Sequence, residues 1–250
     1  MNSANTFTFH GLKFFSGSLD ELKTFLCSWI EKPINEKTIF IATPNPEFYV
    51  ECFFDNDFFS LLKNTSINIV DGIGLHLFLR LCGYPSSRIT GSGLVDELFS
   101  NNIGSIYLLG GMNGVYEVIT KRFPNVDFVG GYDGIVNAHN TRALCNEINN
   151  LEPDFLLVGL GAPKQEKWIR DNIQHLSNVR VAIGIGGSLD CSSLKVTRAP
   201  KYIQLIGLEW LFRLIQQPQR LPRIAKAVVA FPLLFICVEL VSLIHRIIKR

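Results

Sequence analysis

Short, mostly apolar runs recur along this chain, and nearly every one stops abruptly at glycine, asparagine, aspartate or proline. Residues 38–42, 67–70, 105–109, 126–129, 155–159 and 179–183 are too short for helices and read as buried strands. Stretches with apolar residues at helical spacing separate most of them. Strands that alternate with helices in this way form a mostly parallel sheet covered by helices on both faces, an α/β fold. Ahead of this pattern, residues 6–9 alternate polar and apolar, His10-Gly11 can turn, and residues 12–15 follow, which predicts an N-terminal hairpin. Ser18 and Glu21 make a capping box, after which Leu19, Leu22, Leu26 and Trp29 recur at helical spacing.

In such sheets ligands bind beyond the carboxyl ends of the strands. The loops to follow are therefore 43–47, 71–74, 110–114, 130–133, 159–166 and 184–190. With 250 residues, no Pro/Gly/Ser-rich linker and no internal repeat, the chain reads as one large domain, residues 1–198, with a helical extension, residues 199–250.

Charge separates these two parts. Residues 195–250 carry ten Lys/Arg against two acids, while the preceding 194 residues carry fourteen against twenty. A basic tail on an acidic body suits an anionic partner: a membrane surface, a diphosphate or a nucleic acid. Within the extension, residues 203–216 read as an amphipathic helix, Pro218 and Pro222 break it, and residues 227–248 are strongly apolar. Glu239 and Pro232 interrupt that last run, and Lys226, Arg246, Lys249 and Arg250 flank it. The favoured expectation is a helix lying in the membrane interface, with a packed or oligomer-forming helix and a membrane span as alternatives. Nucleic acid fits least, because the basic tail is apolar rather than studded with aromatics. The six cysteines form no C-x-x-C pair and sit in apolar runs, as buried reduced thiols of a cytosolic protein do, and the N-terminus has no signal-peptide pattern.

Several loops carry chemistry. Asp71 follows a strand and precedes Gly72-Ile73-Gly74, placing it either as a general base or as a helix N-cap. Thr43 and Asn45 could hydrogen-bond a sugar, or simply shape a turn and start a helix. Gly110 and Gly111 open a strand-to-helix turn whose free N–H groups suit a diphosphate, although Leu109 stands where a full G-x-G-x-x-G would have its first glycine. Tyr132 belongs to the 130–133 loop and is taken with them as a nucleotide contact. The densest segment holds Gly159, Gly161, Lys164, Gln165 and Glu166, with Pro163 in the first helical turn. Asp190 could accept a hydrogen bond from a base or sugar, and Arg88 could hold a phosphate. Arg213, Arg220 and Arg223 could neutralise a leaving diphosphate. Asp55-Asn56-Asp57 has the form of a metal-holding D-x-D, but the pattern puts it inside a helix, where residues two apart do not share a face. The five histidines lack ligand spacing, so no metal is implied.

Taken in order, residues 43–47, 71–74, 88–91, 159–166, Arg198-Ala199-Pro200 and residues 207–211 resemble the WecG/TagA/CpsF family of glycosyltransferases (glycosyltransferase family 26) from about Ile39 to Arg223. The resemblance implies a Rossmann-like domain with a C-terminal appendage that docks on the cytoplasmic face of the membrane as a peripheral protein. It implies inverting transfer from a UDP-sugar, without a metal or other cofactor, to a polyprenyl-diphosphate-linked saccharide of the cell surface. The donor sugar in the family is often N-acetylmannosamine or its uronic acid, with glucose and glucuronic acid also found. Asp71 matches the family's proposed base, Thr43 and Asn45 its sugar contacts, Gln165 its glutamine, and Arg213, Arg220 and Arg223 its appendage arginines. Arg88 joins them in the catalytic group. The chain departs from the family at Gly93, where Asp is common, and around Leu189-Asp190 and Ser193-Leu194.

Two other readings compete. One is a nicotinamide-dependent oxidoreductase using residues 110–114, with Asp127 on a ribose. The other is a non-catalytic membrane module built on residues 227–248. Self-association is left open.

Overall fold

The computed structural model describes residues 5–33, 37–193, 197, 199–200, 202–203 and 206–248, with side chains except at residues 191 and 241–248. Eight strands form one sheet: β1 (Thr6–Phe9), β2 (Leu12–Phe15), β3 (Ile39–Ala42), β4 (Ile67–Asn68), β5 (Ile106–Gly110), β6 (Phe128–Tyr132), β7 (Phe155–Gly159) and β8 (Val181–Gly184). Their order is β1-β2-β4-β3-β8-β7-β5-β6. Among the described residues only β1 and β2 pair antiparallel, joined at His10 (φ 45°) and Gly11 (φ 80°); the other strand pairs are parallel. Two successive positive φ values make the type of tight turn whose twist matches a hairpin. The expected α/β sheet with its N-terminal hairpin is therefore present.

Two apolar cores lie on the two faces, and strand residues alternate between them. Phe40, Ala42, Leu156, Val158 and Ala182 join one core. Ile39, Ile41, Phe155, Leu157, Val181 and Ile183 join the other. A period of two with both sides apolar is what buries both faces of a parallel sheet. The helices α1 (Leu19–Ile30), α2 (Pro46–Phe54), α3 (Asn56–Lys63), α4 (Ile73–Leu81), α5 (Gly91–Ser100), α6 (Val115–Arg122), α7 (Ala138–Leu151), α8 (Lys164–Asn172) and α9 (Ser188–Ser192) supply the cover. Local chemistry starts them: Ser18 and Glu21 close the capping box on α1, and Asn45 caps α2 with Pro46 just inside.

Three expectations need correction. β6 begins two residues later than the sequence suggests and includes Gly130 and Gly131, so residues 130–132 are strand rather than loop. A Cβ on Gly130 would meet the Tyr107 ring at 2.8 Å, and one on Gly131 the Tyr116 ring at 2.3 Å. Aromatic rings occupy the space that strand side chains would fill, and glycine is the residue that permits it. Asp55 does not lie within a helix: it caps α3, and Asp55 and Asp57 pair with Lys167 and Arg170 at 2.8 and 2.7 Å. Cys82 and Cys237 are exposed rather than buried.

The extension folds back over the body. Its helices are α10 (Glu209–Gln216), α11 (Leu221–Ala225) and α12 (Phe231–Ile248), with a one-turn 3₁₀ helix at Pro218–Arg220 and a π-turn at Lys226–Ala230. The expected helix over 203–216 is shortened, because Gly207 (φ 78°) breaks it where the backbone presses on Ile73. Pro218–Leu240 is long and apolar enough to cross a membrane, with mean hydropathy 1.9. Yet Phe231 and Phe235 are wholly buried, among Phe9, Tyr49 and Phe78. Val229, Leu233, Ile236 and Leu240 face away, each about half exposed. Over residues 229–240 one side of this helical run is packed and the other is open. Arg198, part of a motif noted in the sequence, lies outside the described residues.

Candidate functional site

The carboxyl ends of β3, β4 and β8 meet in a cleft of about 390 Å³. Each wall is tied to the next by a backbone hydrogen bond. Asp71 N–H donates to Pro44 O at 2.8 Å, which binds the loop after β4 to the loop after β3. Ile89 N–H donates to Val70 O at 3.0 Å, which draws Arg88 alongside. β3 and β8 are neighbours, and the crevice lies beyond the carboxyl ends of their strands, the usual side for a ligand in open α/β sheets.

Asp71 lies at the inner end of this cleft. Its Oδ1 accepts Gly72 N–H at 2.7 Å and its Oδ2 accepts Gly91 N–H at 3.4 Å. Gly72 occupies the N-cap of α4 with no side-chain cap, so Asp71 is not the helix cap that its sequence position also allowed. Burial pushes its carboxyl above the usual carboxylate range, and the charge of Glu209 adds to this; the two amides and Arg88 oppose it. A partly buried carboxyl with a raised pKa and a cavity in front of it suits proton abstraction from a bound hydroxyl.

Thr43 is buried and its hydroxyl donates to Gly184 O at 3.0 Å, which leaves its lone pairs toward the cleft. Asn45 spends its Oδ1 on Glu47 and Phe48 N–H at 2.9 and 3.2 Å, so its amide nitrogen is the group left for a ligand. Gln165 is 1% exposed. Its Oε1 accepts Gly161 N–H at 3.2 Å and Gly186 N–H at 2.9 Å, and its Nε2 donates to Glu166 Oε1 at 2.6 Å. Gln165 thus braces two glycine loops as it lines the cleft.

Arginines supply the opposite charge. Arg88, Arg213, Arg220 and Arg223 all line the cleft. Arg213 pairs with Glu209 at 2.6 Å and Arg223 with Glu47 at 2.7 Å, while Arg220 donates to Gln217. A Cβ on Gly187 would lie 3.3 Å from Arg220 Nη2 and 3.9 Å from Arg213 Nη1, so two guanidiniums converge on that glycine. Phe231 and Pro232 of α12 close the cleft with an apolar lip.

The residues assigned to the nucleotide from sequence divide. Gly110, Gly111, Gly159 and Lys164 line a second cavity, of about 570 Å³, at the ends of β5, β6 and β7. Gly161 and Gln165 line the first, so the β7 turn is the partition between the two. Gly110 (φ 93°) is required there: a Cβ would come within 2.9 Å of the Gly159 carbonyl. Asp190 stands close to Gly187 and accepts Met112 N–H at 2.8 Å, joining the two glycine loops. Tyr132 lines neither cavity; its hydroxyl donates to Ile135 O at 3.3 Å and accepts from Asn140 at 3.1 Å, ordering the loop after β6. Glu166 is corrected outright: it is 0% exposed, behind Gln165, and cannot reach a ligand in either cavity. Asp127 precedes β6 and its carbonyl accepts Ile106 N–H at the start of β5, at the opposite end of the sheet from Gly110. That geometry removes the proposed dinucleotide site. Among the described residues no three His, Cys, Asp or Glu side chains stand together as a metal-ion set.

Sequence reasoning missed Glu209, which lines the cleft and bears on Asp71, and Thr90, whose hydroxyl caps α5 by accepting Gly93 N–H at 2.9 Å. Glu209 was visible within the 207–211 motif, but its nearness to Asp71 is purely tertiary.

Comparison with known proteins bears on the same cleft. The model of the Glycosyl transferase WecG/TagA/CpsF family matches residues 7–243. A Bacillus subtilis (strain 168) protein named N-acetylglucosaminyldiphosphoundecaprenol N-acetyl-beta-D-mannosaminyltransferase is 33% identical over 228 residues, covering 87% of this chain and 86% of the relative. Proteins of the same name from Bacillus spizizenii and Staphylococcus aureus (strain MW2) are 33% and 28% identical, covering 74% and 82% of this chain and 74% and 81% of their own lengths.

Proposed function

The chain belongs to the WecG/TagA/CpsF family of glycosyltransferases, and from that premise we propose that the cleft between β3 and β8 transfers N-acetylmannosamine from its UDP derivative to an N-acetylglucosaminyl-diphosphate polyprenol. One observation carries this reading: Asp71, the Gln165 turn and the arginines of the extension line a single cavity. The names of the relatives supply the sugar and the acceptor class.

The reaction is a single inverting displacement. Asp71 takes the proton of the acceptor hydroxyl as that oxygen attacks the anomeric carbon, and the bond to the UDP oxygen breaks on the opposite face. Thr43 and the Asn45 amide orient the sugar. The negative charge that grows on the leaving diphosphate is met by Arg213 and Arg220 near Gly187, and by the N–H groups of the surrounding glycine loops. Charged donors fixed before the reaction stabilise that charge without reorganising, so the site has no need of a metal. The nucleoside extends past Asp190 toward the Gly110 turn and the second cavity.

We infer that the protein works at the cytoplasmic face of the membrane, where a polyprenyl-diphosphate acceptor would meet a UDP-sugar. Residues 199–250 act as a docking appendage: the open side of α12 offers an apolar stripe, as an interfacial helix does, while its packed side holds to the body.

The test is a screen of UDP-sugars against a short-chain polyprenyl-diphosphate N-acetylglucosamine, reading UDP release with and without EDTA. UDP-N-acetylmannosamine is expected to turn over with EDTA present. Turnover only with UDP-glucose, UDP-glucuronic acid or the mannosaminuronic derivative would reassign the donor, and loss of turnover in EDTA would overturn the metal-free mechanism.

A further inference from the structure

Glu166 is the only acid of the 159–166 segment; it touches neither cavity and is completely buried. Its Oε1 accepts Gln165 Nε2–H at 2.6 Å, and its Oε2 is buried with no hydrogen-bond partner. An arrangement that leaves a carboxylate oxygen unsatisfied costs stability. The end of β8 is shaped to admit it: a Cβ on Gly184 would meet Glu166 Oε1 at 2.7 Å and Gln165 Nε2 at 2.8 Å. The same glycine's carbonyl accepts the Thr43 hydroxyl at 3.0 Å.

A glutamine amide can turn over, exchanging its oxygen and nitrogen, unless its partners distinguish the two. Here they do. Gly161 N–H and Gly186 N–H, at 3.2 and 2.9 Å, need an acceptor on one side, and the Glu166 carboxyl needs a donor on the other. With no acceptor at position 166, the Gln165 nitrogen would be buried unpaired, and the amide would lose its reason to face the two glycines.

We propose that Glu166 is a positioning residue for sugar transfer, which orients the Gln165 amide and thereby holds the Gly161 turn and the Gly186 loop at a fixed spacing across the cleft. The role in transfer rests on the function proposed above; the role in loop positioning does not. Carboxyl, amide and two loop N–H groups form one chain of bonds, so removing either end member releases the same two loops.

The test compares Glu166→Leu, Glu166→Gln, Gln165→Ala and the Glu166→Leu/Gln165→Ala double variant of the full chain. Two readouts are taken: amide hydrogen exchange over residues 159–166 and 184–190, and kcat and KM for UDP-sugar turnover. Glu166→Leu is expected to speed exchange in both segments about ten-fold or more, and to lower kcat by about 10- to 100-fold. Glu166→Gln, whose amide oxygen can accept the same bond, should rescue most of both losses. The double variant should be no worse than the more damaged single. Unchanged exchange in Glu166→Leu, or single losses that multiply in the double variant, would overturn the proposal. If Glu166→Leu does not fold, loss of protection in Glu166→Gln equal to that in Gln165→Ala overturns it, and retained protection upholds it. A chain that shows this exchange pattern yet turns over no UDP-sugar would sink the functional reading and leave the positioning role standing.

Discussion

Glu166 also ties the fold's stability to pH. Burial pushes its carboxyl from the ordinary 4.5 up to about 7, against smaller opposing effects from the Gln165 hydrogen bond, a backbone N–H and the charge of Arg223. The cause is loss of water around a charge that has only one partnered oxygen. Well below pH 4.5 the group is protonated in both folded and unfolded chains and adds no pH dependence. Between pH 4.5 and about 7 only the folded chain keeps the proton, so stability falls as pH rises. Above about 7 the loss is complete. At about 1.4 kcal/mol per pKa unit, the full loss is about 3 kcal/mol.

Glu166→Gln removes the titration while keeping the shape. Urea unfolding of both proteins at closely spaced pH values, followed by far-ultraviolet circular dichroism, isolates the effect, because Asp71 and the other titrating groups are common to both. The stability of the wild type relative to the variant should fall by about 3 kcal/mol between pH 4.5 and pH 8.5. A relative stability that stays constant within about 1 kcal/mol across that range would show that the buried carboxyl is ionised at no cost, and would refute the reasoning.

Asp71→Asn should lower turnover by about 10²- to 10⁴-fold without loss of folding, and near-normal turnover would remove Asp71 as the base. The raised Asp71 pKa also sets a direction: the wild-type rate should rise with pH through a limb above the usual carboxylate range, and an acid limb at or below that range would contradict the assignment. Phe231→Ala empties a fully buried site and should cost about 3–5 kcal/mol, visible as a lower melting temperature and faster proteolysis after residue 200. Glu at both Leu233 and Leu240, which are 61% and 52% exposed, should leave the melting temperature unchanged and weaken flotation with anionic lipid vesicles; flotation equal to wild type would remove that stripe as the docking face.

What was readable in the sequence follows from physics local to each segment. Runs such as residues 155–159 must be buried wherever they lie, so the sheet and the loops at its rim could be read directly. β6 could not, because its Gly130 and Gly131 look like a turn until Tyr107 and Tyr116 are known to cover them. Asp71 was ambiguous between base and cap, and only the bond from Asp71 N–H to Pro44 O and the uncapped start of α4 separate the two. Lys164, Gln165 and Glu166 are consecutive at a helix start, and sequence gives no phase for so short a stretch. In the fold they point three ways: Lys164 into the second cavity, Gln165 into the first, and Glu166 into neither. The approach of Glu209 to Asp71 spans 138 residues, and no local pattern encodes it.

The same two helices serve both the cleft and the appendage, and this explains why the site is built across them. α2 and α4 start at the Asn45 and Gly72 loops that line the cleft, and their sides carry Tyr49 and Phe78, which hold Phe231 and Phe235. A Cβ on Gly74, in the first turn of α4, would lie 3.1 Å from Pro46 and 3.8 Å from Phe231, and Gly207 rests on Ile73. Arg223 reaches Glu47 in the first turn of α2. Packed helices move as rigid bodies rather than deforming, so a displacement of α12 must shift the first turns of α2 and α4, or else expose two buried phenylalanines. The lip over Asp71 and the apolar stripe on α12 therefore belong to one mechanical unit. In the proposed reaction, the arginines that meet the diphosphate belong to the same appendage as the stripe and line the same cleft as the base.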